Sequence, residues 1–245
     1  MSQALAFPTR GQEDFRYADL AALEPLWPVA QQRIVLAAGE RGAEAVIHTG
    51  SEAVARDIVI ELGAGASFAL HLLNAGQGYG RFAVQVTLGE GAEFTLGAAQ
   101  LAGSGQVLEV VTQVTHAGRD AVSRQVVRSV AGGKGTVNYL GKVRVEPGAD
   151  GTDGEQSVRA MLLDRSATAN NRPELEIYAD DVKCAHGCAV GELDANALFY
   201  MAQRGLPPEE AKKLMLQAFV AQAFVGADQE EVLLEAALAA LGKLV

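Results

Sequence analysis

The chain has 245 residues, and 20 Lys and Arg against 30 Asp and Glu give it a formal net charge of −10. This length allows one or two domains with a substantial core, since domains commonly hold about 100–200 residues. The acidic balance argues against nucleic acid as a main partner, because phosphate binding requires a basic surface, and the hydrophobic fraction of 49% excludes a largely disordered chain.

The cysteine content and the N-terminus indicate the compartment. The two cysteines, Cys184 and Cys188, are too few for a disulfide framework. The N-terminal residues lack the basic region and the apolar stretch of a signal peptide, and no run of about 18 apolar residues predicts a membrane span. We therefore expect a cytoplasmic protein with reduced thiols and no membrane partner.

A short N-terminal helical segment is predicted within residues 1–30. The stretch 12–23 places Phe15, Leu20 and Leu23 as the apolar anchors of one helix. The prolines that follow would end it, because proline cannot continue a helix. We expect this helix to dock on a larger domain.

Residues 31–192 are strand-like and contain a repeat. Runs of β-branched residues bounded by glycine fill this region. The motif Leu-Gly-Ala-Gly-Ala-Ser-Phe at 62–68 recurs as Leu-Gly-Glu-Gly-Ala-Glu-Phe at 88–94, an offset of 26 residues. A further step of the same length reaches a weaker copy that begins at Val114. Repeats of about 20–50 residues are typical of solenoids.

The repeated glycines favour a mainly β fold with a right-handed parallel β-helix, or solenoid, as its core. Each coil of such a fold turns sharply at its corners, and glycine adopts the positive φ of those corners without steric cost. Phe68 and Phe94 would then occupy equivalent positions and stack inside successive coils. The alternative is a β-sandwich with similar loops, but the even spacing of the strands and the repeated period favour the β-helix.

Residues 193–245 have a helical pattern and predict a C-terminal helical domain. Asp194 is a candidate N-cap for a helix that runs to Gln203 and ends at Gly205. A proline pair followed by two glutamates opens a second helix. Asp228 is the candidate cap of a third helix, whose apolar face packs on other helices or on another chain.

The segment Cys184-Ala185-His186-Gly187-Cys188 is the strongest candidate site. If it is extended, Cys184, His186 and Cys188 project to one face, with about 6.7 Å between successive members. Two sulfurs and an imidazole suit zinc, iron or an iron–sulfur cluster. Three ligands on one strand cannot close a tetrahedron, so a second chain or a small ligand would complete the shell. The alternative is two buried cysteines that act as small hydrophobic residues beside a hydrogen-bonded histidine.

The remaining candidates are weaker. His48, His71 and His116 are isolated, and we expect them on the surface or stacked between coils. Asp180 and Asp181 form either a carboxylate pair for acid–base chemistry or a turn in which one side chain binds the backbone. The sequence contains no phosphate-binding loop, dinucleotide fingerprint or nucleophile elbow. We therefore predict no catalytic residue and no directly bound nucleotide.

Several stretches of the sequence strongly resemble the SufD family, whose members are subunits of the SUF machinery for iron–sulfur cluster assembly. The stretches are 7–17, 172–187, Val190-Gly191, Leu198-Phe199-Tyr200 and Arg204-Gly205. The Cys-x-His-Gly pattern and the low cysteine content separate the chain from the paralogous SufB proteins. Position 188 departs from the family pattern, which has a small residue such as alanine there.

The resemblance implies a fold and a role. The fold is a β-helix flanked by helical segments, and the role is that of a non-enzymatic scaffold. SufD pairs with its paralogue SufB through the β-helix, and a transient iron–sulfur cluster forms at their junction. Cys184 and His186 inherit that place, with His186 as the ligand or proton handler and Cys184 as a supporting thiol. Cys188 is either an additional ligand or a small buried side chain.

The resemblance also implies an ATPase partner. SufB and SufD each bind a SufC ATPase of the ABC type through their C-terminal helices, so Phe199, Tyr200, Arg204 and Gly205 are assigned to SufC docking. SufC dimerisation driven by ATP would pull on these helices and open the SufB–SufD junction to sulfur and iron. In the absence of partners, a homodimer is an alternative state of the chain.

Two other functions are compatible with the sequence. A stand-alone metalloenzyme would hold zinc with Cys184, His186 and Cys188, but it would need a fourth ligand and an open coordination position. That function predicts stoichiometric zinc in the isolated chain. A purely structural β-solenoid would bury its cysteines, and it predicts no loss of function for His186→Ala.

Overall fold

The computed structural model describes residues 6–103 and 105–244, and in this part of the chain twelve strands are flanked by short helices. Residues 1–5 of the predicted N-terminal segment lie outside the described residues. The strands are β1 Gln31–Leu36, β2 Arg41–His48, β3 Val54–Leu62, β4 Ser67–Asn74, β5 Gly80–Leu88, β6 Glu93–Ala102, β7 Val107–His116, β8 Val122–Ala131, β9 Thr136–Val145, β10 Asp153–Leu162, β11 Thr168–Ile177 and β12 Lys183–Gly191. None of the described helices has the length and apolarity that a membrane span requires.

The strands form two parallel sheets of six strands each. One sheet has the order β1-β3-β5-β7-β9-β11 and the other β2-β4-β6-β8-β10-β12. Each coil therefore contributes one strand to each sheet, and the chain winds as a right-handed parallel β-helix. The predicted fold class is confirmed.

Coil length increases along the solenoid. Gly80 pairs with Val54, 26 residues before it, and with Leu108, 28 residues after it. Val114 consequently pairs with Val86 rather than with the first residue of the second repeat. The predicted third copy of the repeat is wrong for this reason, since the added residues shift the register by two.

Glycines shape the corners between strands, as the repeat predicts. Gly65 and Gly91 occupy equivalent corners with φ of 64° and 61°, a conformation that L-residues with a side chain rarely adopt. At the same corner, a Cβ on Gly89 would lie 2.9 Å from the carbonyl oxygen of Leu62 in the coil below. These glycines let successive coils stack closely.

Apolar side chains fill the interior of the first coils. Phe68 and Phe94 pair in register on β4 and β6, and both are buried, so the predicted stacking is confirmed. Leu70 and Leu96 form the next column on the same strands and are fully buried. Burial of such side chains contributes about 1.5–3 kcal/mol each.

The N-terminal segment crosses the outer face of the odd-numbered sheet. The single helix predicted over 12–23 is wrong, because the segment forms a 3-10 turn, the short helix α1 (Leu20–Leu23) and a second 3-10 turn. Asp19 caps α1, since its side chain accepts a hydrogen bond from the backbone N–H of Ala22 (3.1 Å). Contacts with the sheet, rather than helical periodicity, determine this path.

A buried ion pair anchors the N-terminal segment to the sheet. Arg81 Nη1 lies 2.7 Å from Glu109 Oε2, and both side chains are almost fully buried. Arg81 Nη2 donates to the carbonyl oxygen of Asp14 (3.0 Å), and its guanidinium lies 4.3 Å from the ring centre of Phe15. The backbone N–H of Asp19 donates to Glu109 (2.9 Å). The ion pair thus has hydrogen bonds from the segment that covers it.

Three helices follow the solenoid: α2 Ala195–Gln203, α3 Pro208–Ala221 and α4 Glu230–Leu241. Asp194 caps α2 as predicted, because its side chain accepts from the N–H of Asn196 (2.8 Å), and Gly205 follows with φ of 87°. The predicted cap at Asp228 is wrong, since Gln229 occupies the N-cap position of α4 without a side-chain hydrogen bond.

Helices α3 and α4 pack on the outer face of the even-numbered sheet. Their buried side chains share one apolar cluster with residues of β4, β6 and β8: Leu73, Ala99, Leu101, Val130, Leu216, Val220, Phe224, Leu233, Ala237 and Leu241. The two sheet faces are therefore covered differently, one by a polar-anchored segment and the other by apolar helices.

Candidate functional site

Strand β12 carries the three sequence-predicted site residues at the end of the solenoid. Cys184, His186 and Cys188 pair in register with buried residues of β10, whose side chains fill the interior. Because side chains alternate along a strand, these three face the interior of the last coil, on one side of the strand as predicted. No described strand covers them, so Cys184 is half-buried while His186 and Cys188 are exposed.

This end of the solenoid has two unpaired strand edges. β11 pairs only with β9, and β12 pairs only with β10. Exposed edges present backbone N–H and C=O groups that another chain can pair with. Ile177 and Val190, on these two strands, are exposed large apolar residues. We refer to this surface, β11 and β12 together, as the open end.

A small space lies between Cys184 and a buried histidine. A Cβ on Gly154 would stand 3.5 Å from Cys184 Sγ and 3.6 Å from His116 Nε2, so glycine at this position leaves room between the two groups. His116 Nε2 lies 2.9 Å from Ser123 Oγ. Burial lowers the pKa of His116 to about 4, which keeps the ring neutral at physiological pH.

Two of the isolated histidines, His48 and His116, face the interior, while His71 lies on the outer face of β4 next to the segment between α3 and α4. His48, His71 and His116 are all buried, so the surface placement is wrong for each of them. His48 pairs in register with Asn74 in the next coil, and its Nδ1 lies 3.1 Å from Asn74 Oδ1. The expected stacking between coils is confirmed for His48.

The interior beneath His186 is polar, which the sequence analysis did not predict. His186 pairs in register with Gln156, and Gln156 pairs with Gln125. Both glutamines are fully buried. The Tyr139 hydroxyl accepts a hydrogen bond from Gln156 Nε2 (3.3 Å) and donates to Gln125 Oε1 (3.3 Å). Alternation of polar residues with buried neighbours was the only sequence signal, and it also describes a surface strand.

Burial favours the protonated form of both thiols at the open end. Burial raises the pKa of Cys184, and a hydrogen bond from the Gly154 backbone opposes part of the rise. Burial likewise raises the pKa of Cys188, against the effect of the nearby Asn171 amide. A metal ion that binds either sulfur must therefore displace a proton.

The described part of the chain does not group its own side chains into a metal site. Within residues 6–103 and 105–244, no three His, Cys, Asp or Glu side chains are grouped so that they could hold a metal ion. The spacing of Cys184, His186 and Cys188 along one extended strand explains this. Further ligands would have to come from another molecule.

The acidic pair before β12 forms a bend. Asp180 and Asp181 lie between β11 and β12. The carbonyl oxygen of Asp181 accepts a hydrogen bond from the backbone N–H of Gly151 (2.7 Å). The backbone contact links the bend to the preceding coil.

Helix α2 presents aromatic side chains to solvent. Phe199 and Tyr200 are 66% and 60% exposed, and no residue of α2 is buried. The guanidinium of Arg204 lies 5.2 Å from the ring centre of Tyr200. Large exposed apolar groups of this kind mark interaction surfaces when they cluster.

A known domain family matches most of the chain. The SufBD core domain of the SUF system for FeS cluster assembly matches residues 43–219. The match runs from β2 to α3 and includes the site residues of β12.

Curated relatives match shorter parts of the chain. The iron-sulfur cluster assembly protein SufD of Escherichia coli is 31% identical over 155 residues, 63% of this chain and 36% of that protein. The chloroplastic protein ABCI7 of Arabidopsis thaliana is 36% identical over 115 residues, 46% of this chain and 24% of that protein. An iron-sulfur cluster assembly SufBD family protein of Synechocystis is 39% identical over 84 residues, 34% and 18% of the two chains. The matched region therefore spans about a third or less of each relative.

Proposed function

We propose a scaffold function for this chain, which belongs to the SufBD core domain family of SUF iron–sulfur cluster assembly proteins. In this proposal the chain is a non-enzymatic subunit that pairs with a SufB-like paralogue and binds a SufC-like ATPase. The observation that carries it is the position of Cys184, His186 and Cys188 on the inner face of a terminal strand that has one unpaired edge.

The open end supports pairing with a SufB-like protein. Two strand edges and exposed apolar residues are available there, and a second parallel solenoid would continue both sheets. Pairing would bring the partner's ligands to His186 and the two thiols, which lack a third group close enough to complete a metal site among the described residues. The cluster is the cargo of this site and would be transferred to acceptor proteins.

Each side chain of the site has a distinct part. The His186 imidazole offers a nitrogen ligand from an exposed position. Cys184 is partly covered and has its pKa raised by burial, which suits a supporting thiol rather than a reactive nucleophile. Cys188 is exposed and is free to serve as an additional sulfur ligand.

Helix α2 supports docking of the ATPase. Its exposed pair Phe199 and Tyr200 gives a surface that a partner can bury. Arg204 and Gly205 end the helix, and Arg204 packs over the Tyr200 ring. Movement of the ATPase would reach the solenoid through α3, which follows α2 directly and packs on the even-numbered sheet.

The test is anaerobic co-expression with SufB-like and SufC-like proteins. Size exclusion reports complex formation, and chemical assays report iron and acid-labile sulfide. We expect the wild-type complex to carry cluster and the His186→Ala complex to assemble without it. Ala189→Ser, on the outward face of the same strand, is the matched control and should keep the cluster. Retention of cluster by His186→Ala would contradict the proposal.

The docking surface has its own test. Phe199→Ala with Tyr200→Ala should abolish ATPase binding and leave pairing with the SufB-like protein intact. Val225→Ala, at an exposed position between α3 and α4, should leave both. Loss of ATPase binding with unchanged cluster assembly would show that the ATPase does not open the junction with the SufB-like protein through these helices. Stoichiometric zinc in the isolated chain would instead favour a metalloenzyme.

A further inference from the structure

The interior of the solenoid changes character along one column of side chains. Leu70 and Leu96 occupy this column in the early coils, and Gln125, Gln156 and His186 continue it in the later ones. Both glutamines are buried to 1% exposure or less. Buried amides are expected to have hydrogen-bond partners for their polar atoms.

Several polar atoms at this place lack a well-formed hydrogen bond among the described residues. Gln125 Nε2, Gln156 Oε1 and both amide atoms of Asn171 are fully buried and have no partner of normal hydrogen-bond geometry there, although the Asn171 amide lies near enough to Cys188 to act on its thiol. Asn171 pairs in register with Tyr139, whose hydroxyl is bonded to both glutamines. These atoms therefore border one region, and we call Gln125, Gln156 and Asn171 the amide cluster.

An amide in an earlier coil shows the contrast. Asn74 Nδ2 donates to the carbonyl oxygen of Gly80 (3.0 Å), and its Oδ1 lies 3.1 Å from His48 Nδ1. The fold can thus satisfy a buried amide fully with protein groups, although Gln100 Oε1 in the next coil also lacks a partner among the described residues. The amide cluster differs because four such atoms border one region, which points to a shared partner other than the described residues.

The chemistry of the unpaired atoms defines that partner. Two are N–H donors, at Gln125 and Asn171, and two are carbonyl acceptors, at Gln156 and Asn171. An anion would meet the carbonyl oxygens and a cation would meet the amide hydrogens. Water both donates and accepts, and buried water typically makes about three such bonds.

We propose that the amide cluster is an internal water site, located beneath His186 and Cys188. Ordered water bridges Gln125, Gln156 and Asn171 at the atoms that make no direct hydrogen bond with one another. Cys188 borders the same region, because the Asn171 amide acts on its thiol.

The site has a consequence that rests on the proposed function. When a SufB-like partner covers the open end, His186 and Cys188 lose contact with bulk solvent. The internal water remains as a hydrogen-bond partner for polar atoms on the inner face of β12. Apolar residues in the same column, such as Leu96 in an earlier coil, would offer no such partner.

The first test is a high-resolution crystal structure of the isolated chain. We expect ordered water within hydrogen-bond distance of Gln125 Nε2, Gln156 Oε1 and the Asn171 amide. Absence of water from all of these atoms would overturn the proposal. This test needs no partner, so a failure of cluster assembly would leave its result unaffected.

The second test asks whether removal of the Asn171 amide lowers or raises Tm. Asn171→Leu keeps the branched shape of the side chain and removes an amide whose one polar contact among the described residues is with the Cys188 thiol. If water fills the cluster, the variant loses those bonds and Tm falls by about 2–4 °C. If the cluster is dry, removal of unpaired atoms leaves Tm unchanged or raises it, which would overturn the proposal. Asn74→Leu is the control and should lower Tm in either case, because it removes bonds to protein groups.

Discussion

The early and late coils of the solenoid share a backbone but differ in their interiors. In the early coils, Phe68, Leu70, Phe94 and Leu96 form continuous apolar columns. In the last coils, the column of Leu96 continues with glutamines and ends at His186 on the open end. The same register thus carries leucines in this column at one end and polar side chains at the other, while the neighbouring column stays apolar through Val127 and Val158.

The two kinds of interior have different roles. The apolar columns stabilise the fold, and the polar column lies beneath the side chains of the open end. Parallel pairing of the strands is common to both halves, so it does not require an apolar interior in every coil. The early coils bury large side chains, which contribute most to stability per residue. The late coils can then hold polar groups and free thiols near the surface, at the end where a partner would bind.

The largest expected change in stability comes from a substitution in the apolar columns of the early coils. Phe94→Ala removes a buried ring from the first coils and should lower the free energy of unfolding by about 3–5 kcal/mol, because a cavity remains. Urea unfolding followed by circular dichroism measures this. Phe199→Ala, at an exposed ring on α2, is the matched control and should change stability by less than about 0.5 kcal/mol. Equal effects of the two variants would contradict the assignment of the core.

A pH-dependent effect is expected where the two halves meet. His116 is fully buried in β7, and burial lowers its pKa from 6.5 to about 4. The folded chain therefore binds fewer protons than the unfolded chain between these pH values. This contribution to stability is complete above pH 6.5 and falls as the pH approaches 4, by at most on the order of 3 kcal/mol.

Comparison with the His116→Gln variant isolates the contribution of this histidine to the pH dependence of the free energy of unfolding. Denaturant unfolding of both proteins at a series of pH values gives the slope of stability with pH. We expect a shallower decline for the variant below pH 6.5, whatever its absolute stability. Identical slopes would show that His116 does not remain neutral in the folded protein.

Two glycines in the late coils should differ in how well they tolerate alanine, with smaller effects on stability than that of Phe94→Ala. A Cβ at Gly141 would overlap the Tyr139 hydroxyl, so Gly141→Ala should destabilise by about 1–3 kcal/mol through overpacking. A Cβ at Gly154 would make ordinary contacts of 3.4–3.6 Å, so Gly154→Ala should stay within about 1 kcal/mol of wild type. Thermal unfolding of the two variants distinguishes them, and the reverse order would contradict the described interior.

The sequence predicts the repeat better than it predicts the interior. The glycine corners at Gly65 and Gly91 and the stacking of Phe68 on Phe94 follow from local spacing and are confirmed. The third copy at Val114 is misplaced, because an insertion between coils changes register without a local signal.

Elements whose structure depends on tertiary contacts were predicted less well. The N-terminal helix over 12–23 is interrupted, since the segment follows the buried pair Arg81 and Glu109 rather than its own periodicity. The candidate site shows the same limit. The shared face of the β12 residues follows from strand geometry, whereas burial of Gln125 and Gln156 depends on the coils around them.

The central claim is that the open end pairs with a SufB-like partner. Hydrogen–deuterium exchange with and without that partner tests this claim most directly, because the opposite end of the solenoid serves as the control. β11 and β12 form the open end, and β1 and β2 form the opposite end with equally unpaired edges. We predict that the partner slows exchange in 168–177 and 183–191 and leaves 31–36 and 41–48 unchanged. Protection confined to β1 and β2, or no protection at β12, would contradict the account.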